Sequence, residues 1–135
     1  MDPRSMNPIS LAFLGDAVYE QYIRERVIMT GVGGGHADRL HHAAVHYVCA
    51  GAQAKVMAHL LELAPEDGGL SEEEAALTRR ARNHKIATKP KNADAVEYKS
   101  ATAFEALLGY LWLSDRKDRC FEIMEKAAVF TEGHK

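Results

Sequence analysis

No stretch of the 135 residues holds the roughly 18 uncharged apolar residues that a membrane-crossing helix requires, and the amino terminus lacks the basic-then-apolar layout of an export signal. The expectation is a cytoplasmic protein with no membrane partner. Cysteine is scarce: Cys49 and Cys120 stand far apart, each in a helical pattern, which favours two buried, reduced thiols over a disulfide. No strand pattern and no internal repeat is evident. The glycine-rich Gly31-Val32-Gly33-Gly34-Gly35 lacks the GxxxxGK[ST] order and follows no strand, so it reads as a flexible connection and not as a phosphate cradle. No serine or cysteine stands in a GxSxG setting, which sets aside nucleophile-triad chemistry.

What is present is a chain 47% apolar and 27% charged, the balance of one globular domain. Asn7-Pro8 caps and opens a helix that runs to about Ile28. Helical spacing resumes from His36 to about Leu63, with a division at Cys49-Ala50-Gly51. Ser71-Glu72-Glu73-Glu74 has the capping-box form and opens a helix to about Asn83. Residues 84–96 read as irregular around Pro90, followed by helices from about Glu97 to Leu113 and from about Lys117 to Phe130. The expected architecture is all-α, with six or seven helices. Residues 1–7 read as a remnant of expression or a disordered leader, 8–131 as the domain and 132–135 as a tail.

The net charge of −2 conceals an uneven distribution. Between Arg79 and Lys99 stand seven Lys/Arg and two acids, whereas the rest of the chain carries ten basic and seventeen acidic residues. A basic segment on an acidic body fits either a phosphate-rich partner or an ordinary solvated face.

Two carboxylates are isolated. Asp16 is the sole charge from Ile9 to Tyr19, and Glu105 the sole charge from Ser100 to Ser114. Both helices look apolar around most of their circumference, so both carboxylates are expected to be poorly solvated and to need partners. Gly15 adjoins Asp16 and Gly109 lies one turn after Glu105, and glycine within a helix costs about 1 kcal/mol relative to alanine. A close crossing of the two helices at these glycines would account for them and bring the carboxylates together. A divalent cation with oxygen ligands, Mg2+ or Mn2+, would relieve the repulsion; pairing with arginines from elsewhere, or contact with solvent, fits the spacing as well.

Leu11-Ala12-Phe13-Leu14-Gly15-Asp16-Ala17-Val18-Tyr19-Glu20 resembles the signature helix of the ribonuclease III family. Thr102-Ala103-Phe104-Glu105-Ala106-Leu107-Leu108-Gly109-Tyr110-Leu111 resembles its other active-site helix, and the similarity spans about residues 8–130. The short length, with Arg82-Asn83-His84-Lys85 and Lys91-Asn92, resembles the mini branch, which lacks a double-stranded-RNA-binding domain. The resemblance implies a dimeric, all-helical endonuclease domain in which Asp16 and Glu105 are metal-binding catalytic residues and Phe13 lies at the dimer interface. It implies cleavage of double-stranded RNA to 5′-phosphate and 3′-hydroxyl ends and maturation of the 23S ribosomal RNA precursor, with a ribosomal protein as a further partner to consider. Larger family members carry further acids where this chain has Ala12 and Thr102, which implies a single protein-held cation completed by water or RNA phosphate. RNA contact falls to the basic segment: Arg79, Arg82, Asn83, Lys85, Lys89, Lys91 and Asn92. Glu20, one turn after Asp16, reads as an ordinary surface residue.

Two other readings stand beside this one. Asp38, His42, His46 and Cys49 share one helical face at spacings that would suit zinc, although no residue to orient them is visible. A non-catalytic, dimeric RNA-binding or ribosome-associated protein of the same fold is the alternative function, to which Ala12 and Thr102 lend weight.

Overall fold

A computed structural model describes residues 2–31, 34–84 and 95–134. Six α-helices follow in chain order among the described residues: α1 (Pro8–Met29), α2 (Ala37–Val48), α3 (Ala50–Glu62), α4 (Glu72–Arg82), α5 (Ala95–Leu113) and α6 (Lys117–Gly133), with 3-10 turns at Pro3–Ser5 and Pro65–Asp67. None of them is long and apolar enough to cross a membrane. The expected boundaries are met within a few residues, and the cap residues explain why. The Asn7 side chain accepts from the Ile9 N–H at 2.8 Å ahead of Pro8. Ser71 and Glu74 each accept the other's backbone N–H, at 3.1 and 2.9 Å, closing the capping box of α4.

Helix α5 is the axis of the fold, packed by α1, α3 and α4. From Ala101 to Leu111 every residue is buried except Glu105. Phe104 meets Tyr19 of α1 edge-to-face, ring centroids 5.0 Å apart, a pairing that adds about 0.5–1.5 kcal/mol to the burial itself. At the far end of α1, Arg26 grips Glu132 of α6 through two 2.7 Å contacts, and Tyr47 of α2 donates to the same carboxylate at 2.7 Å. Near the start of α4, Arg119 of α6 donates to both Glu74 oxygens at 2.8 and 2.9 Å and to the Gly69 carbonyl at 2.9 Å. These ties hold α6 across the bundle and leave the α1–α5 crossing to set the geometry between the two central helices.

Both thiols are free. Cys120 is buried, as expected, and burial pushes its thiol up to about 12. Cys49 departs from expectation: it is exposed, because α2 ends there in an extended backbone and α3 begins at the next residue.

Candidate active site

Gly15 and Gly109 face each other's helices. A Cβ on Gly15 would lie 1.7 Å from the Glu105 carbonyl oxygen, and one on Gly109 would lie 1.9 Å from that of Leu11. No side chain fits in either place, so the crossing requires glycine on both helices. Asp16 follows Gly15 directly and Glu105 precedes Gly109 by one turn, so the approach of the backbones brings their carboxyl groups within hydrogen-bonding reach of each other.

The electrostatic consequence falls on Glu105. Desolvation, then the hydrogen bond and negative charge of Asp16, then the charge of Glu20, push its carboxyl up to about 8, while hydrogen bonding from Gln53 acts in the opposite direction. Asp16 differs from expectation, since it is exposed. The face of α1 that carries it also carries Ile9, Phe13 and Ala17, all exposed, and among the described residues no other helix covers that face. Phe13 is 83% exposed.

Sequence reasoning missed Gln53. It lies on the buried face of α3, only 2% exposed, with its Nε2 donating to the Val48 carbonyl at 3.1 Å and its Oε1 buried without a hydrogen-bond partner. Gln53, Val56, Met57 and Leu60 recur at i, i+3, i+4 and i+7, and glutamine is the one polar member of that stripe. That interruption was the available signal.

The donors fit a small, hard divalent cation: two adjacent carboxylates, both hard oxygen ligands, whose repulsion it would relieve. Ala12 and Thr102 add no ligand. Both are buried, and the Thr102 hydroxyl donates to the Tyr98 carbonyl at 2.9 Å. Among the described residues no three His, Cys, Asp or Glu side chains come together as a metal-binding group, which removes the zinc reading of Asp38, His42, His46 and Cys49. All four are exposed, and the helix carrying the first three has ended before the fourth.

In the basic segment, Arg79 is exposed in the last turn of α4, Arg82 is half-buried with an unpartnered Nε, and Asn83 is the exposed C-cap. Arg80 is engaged with the Met6 carbonyl at 3.1 Å. Lys85, Lys89, Lys91 and Asn92 lie outside the described residues.

A family pattern described as "Ribonuclease III domain" matches residues 9–116, taking in both carboxylates and both crossing glycines. The chain belongs to the ribonuclease III family. Membership makes it an endoribonuclease. A Mini-ribonuclease 3 of Brevibacillus brevis is 44% identical over 132 residues, covering 98% of this chain and 92% of that one. Another from Symbiobacterium thermophilum is 41% identical over 131 residues, covering 97% and 95%. A crystal structure of a Fusobacterium nucleatum protein superposes with a TM-score of 0.78 at 29% identity, covering 93% and 95% of the two chains. The all-helical family fold thus extends over nearly the whole chain.

Proposed function

We propose that this endoribonuclease hydrolyses double-stranded RNA with Mg2+, or Mn2+ in its place, held between Asp16 and Glu105, leaving 5′-phosphate and 3′-hydroxyl ends. The observation that carries the reading is the glycine-on-backbone crossing that sets these two carboxylates side by side. When bound, the cation lowers the pKa of water and neutralises negative charge that develops at the phosphate. The chain's own contribution is positional. Asp16 presents its carboxylate at the open face of α1, while Glu105 presents one from the enclosed side, so RNA approaches from the direction of Asp16. With only two acids at the site, water and RNA phosphate complete the coordination.

The same reading makes the protein a homodimer. Ile9 and Phe13, one turn apart on α1 and 40% and 83% exposed, form an apolar stripe that a second copy would cover. Phe13 is three residues from Asp16, so the second copy would border the site and leave the carboxylate open to RNA. Arg79, Arg82, Asn83, Lys85, Lys89, Lys91 and Asn92 are assigned to phosphate, ribose and base-edge contacts. The cellular substrate is assigned as the 23S ribosomal RNA precursor, cut in the cytoplasm, where a ribosomal protein would act by presenting the duplex.

The test is incubation of a long RNA duplex with and without Mg2+, beside the Asp16→Asn and Glu105→Gln variants, read on a denaturing gel. Cleavage is expected only with metal, and each variant should cut at least about a hundredfold more slowly, beyond the loss typical of removing a group outside the ligand shell. Variants that cut like the parent would remove the site assignment. A parent that binds duplex but does not cut it with either cation would overturn the catalytic reading.

A further inference from the structure

Gln53 has a buried carboxamide in a stripe where an apolar side chain would pack without polar cost. Its two ends are treated differently. One N–H is fixed by the Val48 carbonyl, an acceptor that becomes available because α2 ends at Val48 and no helical N–H follows in register to take it. The amide also neighbours the Glu105 carboxylate, whose charged form it favours. The Oε1 is buried without a donor, an arrangement that costs stability. A residue serving only to pack α3 on α5 would bring none of these features, since Val56, Met57 and Leu60 already pack the same face.

We infer that Gln53 is a positioning residue for the carboxylate centre: anchored by Val48 at the α2–α3 break, its amide fixes the Glu105 carboxylate in the orientation that receives the cation. Glu105 is flanked from three elements. Asp16 and Glu20 of α1 face it with like charge, α5 on either side of it is mostly apolar, and Gln53 of α3 supplies a neutral donor. Without that donor, the two acids of α1 drive the carboxylate away from Asp16. The break between α2 and α3, which looks like an incidental interruption of one long helix, is what makes the anchoring carbonyl available.

The inference rests on the assignment of Asp16 and Glu105 as cation ligands, and the experiment separates the two. Mn2+ affinity is measured by electron paramagnetic resonance on the parent, on Asp16→Asn, on Gln53→Met and on Gln53→Asn, with thermal unfolding in parallel. Gln53→Met fills the same volume with no donor; Gln53→Asn keeps the amide but withdraws it by one methylene. The expected result is folded Gln53 variants with Mn2+ affinity lowered tenfold to a hundredfold, the range found when groups that orient metal ligands are removed. KM for duplex RNA should stay near the parent's while kcat falls at subsaturating metal, and raising Mn2+ should restore kcat. A folded Gln53→Met or Gln53→Asn protein that binds Mn2+ within twofold of the parent overturns the inference, and if the Gln53→Met protein fails to fold, the asparagine variant decides. A parent that binds no Mn2+, or an Asp16→Asn protein that binds it as well as the parent, overturns the ligand assignment instead.

Discussion

Two glutamates on neighbouring helices have opposite fates. The Glu74 side chain is 3% exposed, more enclosed than that of the half-buried Glu105, so burial alone would predict the larger disturbance at Glu74. The opposite holds. Desolvation works against the Glu74 charge, but Arg119 and the Ser71 N–H outweigh it and hold the carboxyl below the usual range. Desolvation at Glu105 is joined by two acids and reaches about 8. Burial disfavours the charge of both carboxylates, and their partners decide whether that is reversed or reinforced. Where the fold supplies a guanidinium it fastens helices together, and where it supplies another carboxylate it creates the repulsion that the proposed cation would relieve.

The comparison can be broken most severely from the Glu74 side. Arg119→Leu leaves a buried carboxylate with no counter-charge and is expected to destabilise the protein by about 3–5 kcal/mol, measured by chemical denaturation. A loss under about 1 kcal/mol, the worth of an exposed pair, would show that Glu74 does not depend on its arginine. A subtler contrast lies in pH. The raised carboxyl of Glu105 keeps its proton in the folded protein while the unfolded chain loses it near 4.5, so its contribution to stability falls as pH rises from there through about 8. Glu74, held low, contributes above the unfolded value, and that contribution is lost as pH falls through its folded pKa. Metal-free Glu105→Gln should therefore lose less stability than the parent between about pH 5 and 8, by roughly 1–3 kcal/mol after allowance for partial exposure, and saturating Mg2+ should flatten the parent's slope in the same window. Parallel pH curves for parent and variant would contradict the assignment. The smallest effect is at the cap: Ser71→Ala should cost about 1 kcal/mol, read as a shift of a few degrees in Tm, with cleavage unchanged.

The same contrast marks how far the sequence could be read. The capping box at Ser71 and Glu74 is a local device, complete within four residues, and it appears where the pattern placed it. Asp16 and Glu105 stood out as lone charges in apolar helices, and Gly15 and Gly109 indicated the crossing, because a glycine that costs helix stability without making a turn must admit something close. Gln53 was not found, since one polar residue in a four-residue stripe carries little weight until its burial is known. The exposure of Asp16 was missed for a different reason. An apolar helix face is equally compatible with coverage by the same chain or by another molecule, and residue types alone do not distinguish them. Cys49 and the supposed zinc face failed on a backbone event: the residue that ends α2 leaves the helical series on which the spacing argument depended.

The mutual seating of Gly15 and Gly109 has a further consequence. Each glycine abuts a carbonyl of the opposite helix, so the two contacts work as index pins: a slide along either axis or a change of crossing angle would disengage at least one of them. The pins are backbone, and the proposed chemistry falls to neighbouring side chains that take no part in the seating. Frame and function are therefore separable in this fold. Donors at positions 16 and 105 can be exchanged, by drift or by design, with the spacing between them preserved, and a lineage could change its preferred cation without first having to rebuild the crossing.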